Sequence, residues 1–269
     1  MKNVIDAPFL KELTKTTSNM YRLGWDERNG GNISYLLTDE EVEEYDLHHV
    51  IREIPVSFRS DDLIGKCFLV TGTGKYFKNC EDDPENNLGI VRIKEDGTTA
   101  ELLWGYSDGG KFTSEMPAHM MSHSARLKVN PKNRIIMHCH PLNIMAMSFI
   151  HPLNDRDFTR TIWKMNNECI YVFPEGMGVL PWMISGSNEI GEATAEKMMQ
   201  YRIVVWANHG IYGAGETFDE AFGLVETVEK SAEIYMTIGE REIINPITDE
   251  NLKRFAAFAR IDYRKDFLD

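Results

Sequence analysis

Met137-His138-Cys139-His140-Pro141 puts two imidazoles two positions apart at the end of an apolar run. That run, from Arg134 to His140, predicts a strand stopped by Pro141. In an extended chain, residues i and i+2 face the same side. His138 and His140 can therefore converge on one cation, and ligands preset on one strand lose little entropy on binding. The plainer use of such a pair is packing or hydrogen bonding at a strand end. A catalytic zinc site takes three protein ligands and keeps a fourth position open. His209 is the best third candidate, because Asn208-His209-Gly210 follows the apolar strand Ile203–Trp206 directly. Gly210 would let the backbone turn tightly and leave a metal room.

His119 and His123 form a competing pair, four apart on an expected helix from about Ser114 to Leu127. Position 120 is Met, so the glutamate of an H-E-x-x-H site is missing. This pair reads better as a helix face near the site, with His119 supporting it from behind. His48, His49 and His151 lie in polar segments and are expected on the solvated surface.

Two segments could hold an anion. Thr113-Ser114-Glu115 sits where the helix should begin, and free amides with the positive end of a helix dipole favour negative charge there. Glu115 could then act as a proton-transfer base, although a capping Ser and a first-turn acid explain the same residues more simply. Thr71-Gly72-Thr73-Gly74-Lys75 follows the buried strand Cys67–Val70 and could form an anion nest. It is not a phosphate loop of the Walker type, because Leu69 and Tyr76 occupy two of that motif's defining positions. Gly213-Ala214-Gly215 lacks the third glycine of a dinucleotide fingerprint, because Phe218 stands there. Both observations argue against nucleotide binding.

The elements that must position these residues follow from pattern. Residues 8–24 read as a helix ended by Gly24. Asn29-Gly30-Gly31-Asn32 reads as a tight turn with positive φ, leading into the strand Ile33–Leu36. Residues 38–62 are acidic and are expected to be an irregular surface excursion. Leu88–Ile93 and Ala100–Trp104 form a hairpin around Asp96-Gly97. Glu168–Phe173 reads as a strand and Asn188–Tyr201 as a helix. Thr217-x-x-Glu220 is a capping box opening a long amphipathic helix closed by Gly239. Strands and helices mix without a β-α-β rhythm, which points to a mostly antiparallel sheet layered with helices.

Composition narrows the function classes. The 269 residues are 42% hydrophobic and 26% charged, so disorder is excluded as the dominant state. The net charge of −13 makes nucleic acid or an anionic membrane a poor partner, and any anionic substrate needs a local cradle. No apolar run approaches the roughly 18–20 residues of a membrane span. The N-terminal stretch lacks the apolar core of a secretion signal. Cys67, Cys80, Cys139 and Cys169 are scattered and fit buried positions in a reducing cytoplasm.

Taken together the motifs resemble those of class II aldolase/adducin-type proteins. The resemblance rests on Asn29-Gly30-Gly31-Asn32-Ile33-Ser34, the Thr71–Lys75 loop, Thr113-Ser114-Glu115-x-Pro117-x-His119, His138-x-His140-Pro141 and Asn208-His209-Gly210, in that order. Gly24–Asn32 and Val179–Met183 add to it, and the similarity runs from about residue 8 to 240. It implies one α/β domain over residues 1–269, an α/β/α sandwich around a central, mostly antiparallel sheet. It also implies a homotetramer acting on a small sugar phosphate. One zinc ion per chain is implied at His138, His140 and His209, stabilising an enediolate. Glu115 then moves the proton at the nucleophilic carbon. Asn29, Asn32, Thr73, Thr113 and Ser114 hold the phosphate, and Gly31 and Gly74 permit close backbone approach. Glu168 serves the aldehyde end from a neighbouring subunit. The implied reaction is reversible cleavage of L-rhamnulose 1-phosphate to dihydroxyacetone phosphate and L-lactaldehyde. Fuculose-phosphate cleavage and pentulose-phosphate 4-epimerisation are the rivals within the superfamily. A non-catalytic module of the adducin type is disfavoured, because all three histidines and the glutamate are present.

Overall fold

The computed structural model describes residues 2–269. Among them nine strands form one sheet: β1 (Asn32–Leu36), β2 (Arg52–Pro55), β3 (Cys67–Thr71), β4 (Leu88–Ile93), β5 (Thr99–Gly105), β6 (Ile135–Cys139), β7 (Gly178–Leu180), β8 (Ile203–Trp206) and β9 (Gly210–Gly215). Their order across the sheet is β2-β5-β4-β3-β1-β6-β9-β8-β7. Every neighbouring pair is antiparallel except β7 with β8. The central strands β1, β3, β6 and β9 are buried along their whole length, so both sheet faces are covered.

Ten helices cover them: α1 (Pro8–Arg22), α2 (Asp39–Glu44), α3 (Pro84–Asn87), α4 (Met116–Val129), α5 (Leu142–Ile150), α6 (Asp155–Met165), α7 (Glu168–Val172), α8 (Asn188–Met198), α9 (Phe218–Ile238) and α10 (Asp249–Ala259). The period-two alternation of the strands decides which layer each side chain joins. Ile135, Met137 and Cys139 pack with α1, α5, α6 and α9 on one face. Ile136 faces the other way, into a cluster with Ala118 and Ala125 of α4 and Ile190 and Met198 of α8. Met116 and Met120 of α4 extend that second layer over β3 and β5. The result is the expected α/β/α sandwich, with β1, β6 and β9 at its centre.

Several local expectations need correction. Glu168–Phe173 is not a strand: Glu168–Val172 is the short helix α7, with the Phe173 amide donating to the Cys169 carbonyl at 2.9 Å. A short apolar run does not distinguish the two states, and here burial of Cys169 and Ile170 beneath α9 decides. The 38–62 excursion holds α2, opened by a reciprocal Thr38/Glu41 capping box, and the edge strand β2. Thr217 caps α9 by accepting from the Glu220 amide, but the Glu220 carboxylate turns to the Glu216 amide and Arg202 instead of completing a box. The Asn29–Asn32 turn has no positive φ; that conformation falls on Arg28, just before it. The expected helix start at Ser114 shifts to Met116, leaving Glu115 at the cap position.

Candidate metal centre

Sheet register builds the site. β6 lies between β1 and β9, pairing His138 with Asn32 on one side and Tyr212 on the other. His138 follows Ile136 in the alternation and is fully buried. His140 sits just past the strand end, its amide donating to the Trp25 carbonyl at 2.9 Å. His209 arrives from the β8–β9 turn, where Asn208 adopts φ 63°. That left-handed step is one Asn tolerates well. One ligand atom from each of the three histidines lies within 4.8 Å of the others.

Glycines let the backbone close around these rings. A Cβ on Gly210 would stand 2.4 Å from the Cys139 carbonyl and 2.9 Å from both the His138 and His140 rings. One on Gly30 would stand 2.7 Å from His140 Nδ1. Gly210 thus serves close strand approach, while Asn208 makes the turn.

The donor set calls for a cation. His138 Nδ1 donates to the Ile211 carbonyl at 3.1 Å, and His140 Nδ1 donates to Glu27 Oε1 at 2.8 Å. Both acceptors require a proton on Nδ1, so each ring in its neutral form turns a bare Nε2 to the centre. Those two Nε2 atoms face each other at 3.1 Å. His209 Nε2 is buried and has no hydrogen-bond partner. Lone pairs held together this way repel unless a cation sits among them. Burial pushes the His138 pKa well below the imidazole range, so the ring is neutral and ready to ligate. Glu27 is placed as the carboxylate that would orient His140 as a ligand.

Glu115 lies beside this cluster. Its Oε2 accepts from Asn32 Nδ2 at 3.0 Å and from the Tyr212 hydroxyl at 2.9 Å. Its two oxygens stand 3.5 Å from His138 Nε2 and His209 Nε2. Burial alone would raise this carboxyl; positive charge at His138 and His209, which a cation bound there would supply in place of ring protons, and the Asn32 amide outweigh it and hold the group below the usual range. An ionised carboxylate next to a metal centre can take up and return a proton.

The other expected residues distribute as follows. Thr113 is buried, and its Oγ1 accepts from the Glu115 amide at 3.2 Å. The Thr73 amide donates to the Lys111 carbonyl and the Thr113 amide to the Thr71 carbonyl, so the two anion-nest candidates are laced together. Gly74 takes φ 70°, Ser114 and Asn29 are exposed, and Gly31 backs onto the His138 carbonyl and Phe77. Asn32 points its amide at Glu115 and His119. Glu168 is exposed, with no hydrogen bond or ion pair to the cluster among the described residues. His119 is fully buried behind Asn32. His48 stays exposed beside Glu43. His151, expected in solvent, is half-buried, bonded to Thr161 Oγ1 at 2.8 Å and edge-on to Phe158. All four cysteines are buried and unpaired. Sequence reasoning missed Glu27, Ser34 and Tyr212. A carboxylate just before the Asn29–Asn32 turn was the available signal for Glu27; the others lay in ordinary strand patterns.

No helix among the described residues is long and apolar enough to cross a membrane. Comparison with known proteins gives the lineage. The family model described as Class II Aldolase and Adducin N-terminal domain matches residues 11–236. A rhamnulose-1-phosphate aldolase of Listeria monocytogenes serotype 4a (strain HCC23) is 57% identical over 268 residues, 97% of this chain and 98% of that one. One from Enterococcus faecalis (strain ATCC 700802 / V583) is 54% identical over 269 residues, 99% of this chain and 96% of that one. Among solved structures, a sugar-phosphate aldolase from Thermotoga maritima superposes with a TM-score of 0.74 at 29% identity, covering 86% of this chain and 94% of that one. A match spanning most of the sequence, with relatives this similar over nearly their full length, establishes that the chain belongs to the class II aldolase/adducin family.

Proposed function

We propose that the protein is a zinc-dependent aldolase that reversibly cleaves L-rhamnulose 1-phosphate to dihydroxyacetone phosphate and L-lactaldehyde. One observation carries this reading: three imidazole nitrogens converge within 4.8 Å, with an ionised, buried Glu115 alongside. The names of the relatives at 54% and 57% identity support the substrate. A set of three imidazole donors this close suits Zn²⁺, held by His138, His140 and His209. A zinc ion held there would supply Lewis-acid stabilisation of negative charge developing on substrate oxygens.

The chain's own groups do the rest. Glu115 transfers the proton at the hydroxymethyl carbon of dihydroxyacetone phosphate, the carbon whose bond to the aldehyde breaks. Tyr212 and Asn32 hold that carboxylate in place through Oε2. Asn29, Gly31, Thr73, Gly74, Thr113 and Ser114 receive the phosphate through amides and hydroxyls. Asn32 adds the one N–H that Glu115 leaves free. These local donors offset the −13 net charge that would otherwise repel the substrate.

The active unit in this reading is a cytoplasmic homotetramer with the site near a subunit boundary. Leu142, Phe149 and Ile150 of α5, the helix that follows His140 and Pro141, are exposed on the isolated chain. Glu168, unattached to its own cluster, would act on the aldehyde end in a neighbouring copy. The test is metal analysis with product analysis. About one zinc per chain is expected from a three-ligand site. L-Rhamnulose 1-phosphate should yield dihydroxyacetone phosphate and L-lactaldehyde faster than L-fuculose 1-phosphate yields its products. Full cleavage by metal-free protein, or interconversion of pentulose phosphates alone, overturns the reading.

A further inference from the structure

A polar chain runs from Glu115 away from the metal centre and ends inside the core. Asn32 gives an N–H to Glu115 Oε2 and presents Oδ1 to His119 Nε2. His119 Nδ1 meets the Ser34 hydroxyl at 2.7 Å, and His123 Nε2 meets the same hydroxyl at 2.8 Å. Ser34 lies on β1, and the two histidines are one turn apart on α4. All three side chains are fully buried. Burial pushes His119 down to about 4 and His123 well below the imidazole range, so both rings are neutral. Each therefore carries one proton, on one nitrogen.

The proton positions follow from one fixed end. Asn32 Nδ2 lies 3.0 Å from Glu115 Oε2 and its Oδ1 faces His119, so the amide turns its NH2 to Glu115 and its carbonyl to His119. That carbonyl requires a proton on His119 Nε2, which leaves Nδ1 bare. Bare Nδ1 takes the Ser34 O–H. The remaining Ser34 lone pair takes the proton on His123 Nε2. His123 Nδ1 is then bare, and it is buried with no hydrogen-bond partner. The links agree in one direction only, toward Glu115. Two histidines serving only to fill the core would not need a shared hydroxyl or an asparagine that leads to the carboxylate. Apolar side chains would fill the same space without the cost of burying polar atoms.

We propose that Ser34, His119 and His123 are positioning residues whose one-way hydrogen-bond chain locks the Asn32 amide onto Oε2 of Glu115, leaving Oε1 to carry the proton. The proposal rests on the aldolase reading of Glu115. Flipping the amide would set its carbonyl against the carboxylate and swing Glu115 off its mark. Misplacing a catalytic group by about 1 Å costs on the order of 10²-fold in rate.

The test compares His119→Leu with His119→Gln in the zinc-loaded protein. Gln can place an amide N–H where Nε2 stands and so restore the link to Asn32. His119→Leu should lower kcat by about 10²-fold while zinc content holds, with KM rising only modestly because Asn32 supplies one of several phosphate donors. His119→Gln should recover most of that loss. Near-normal kcat in His119→Leu, loss that tracks zinc release, or no rescue by Gln overturns the proposal. If His119→Leu does not fold, isotope-labelled imidazole nitrogen shifts of the unmodified protein decide. Both His119 and His123 should be neutral with the proton on Nε2; a proton on His119 Nδ1 refutes the chain. Those shifts need no substrate. Unmodified protein that leaves L-rhamnulose 1-phosphate intact yet shows the expected protonation sinks the aldolase reading and not the hydrogen-bond chain.

Discussion

Replacing Glu115 by Gln separates proton transfer from metal binding. The amide is nearly isosteric. Its oxygen can keep the bonds from Tyr212 and Asn32, at 2.9 and 3.0 Å in the native protein. Its NH2 would then take the place of Oε1, 3.5 Å from His209 Nε2, while the oxygen stays 3.5 Å from His138 Nε2. Two charge-assisted bonds become neutral ones, a loss partly offset by no longer burying a charge, so folding stability should change by less than ~2 kcal/mol. The three imidazoles are untouched, so zinc content should hold at the native level. Turnover should fall by about 10²–10⁴-fold, the usual scale of general acid–base catalysis. That corresponds to about 2.7–5.4 kcal/mol of barrier. The assay follows dihydroxyacetone phosphate through a coupled dehydrogenase. In parallel it measures exchange of the hydroxymethyl hydrogen of dihydroxyacetone phosphate with deuterated water. Both rates should drop together. Zinc release by Glu115→Gln, or exchange that survives while cleavage is lost, would show that Glu115 does not carry the proton.

His138→Ala should lose zinc and turnover together, because no neighbouring side chain can replace a buried ligand on β6; metal analysis beside the cleavage assay checks this. Glu27→Gln weakens the hold on His140 Nδ1, and with the carboxylate 68% exposed the zinc affinity should fall only about tenfold, the low end for such a partner. Activity should return when zinc is added. Burial raises the Asp249 carboxyl, but Arg160 and Lys164 outweigh burial and hold it below its usual range. A depressed carboxyl stabilises the fold above its unfolded pKa and loses that contribution as pH falls through the folded one. Asp249→Asn should therefore cost about 1–3 kcal/mol near neutral pH. In paired denaturation curves the gap to the native protein should close below about pH 4.

Much of this architecture could be read from residue pattern, for identifiable reasons. The His138/His140 pair announces itself because a strand fixes which side chains converge. His209 follows from its place at the end of an unmistakable apolar strand. Glu115 is different: beside a helix start it has an ordinary capping explanation as well as a base role, and only the resemblance favoured the second. β9 escaped notice because Gly210–Gly215 contains three glycines, a poor strand composition taken alone. The glycines there serve contact across layers, since a Cβ on Gly215 would stand 2.7 Å from the Ala221 amide of α9. Glu168–Phe173 misled because six residues, five of them apolar, fit a strand or a helical turn equally well. Glu27, Ser34 and Tyr212 acquire meaning only through partners distant in the chain, which no local pattern encodes.

The hairpin of β8 and β9 has two duties at the centre. Its turn delivers His209, and two residues later the Ile211 carbonyl fixes the protonation of His138. A single residue inserted at 207–209 would displace the first and, by the alternation of a strand, point an unrelated backbone group at the second. Changes of length in that bend should therefore abolish the site outright instead of grading its affinity. Variation that tunes the reaction must enter elsewhere, in segments that carry neither of these two tasks.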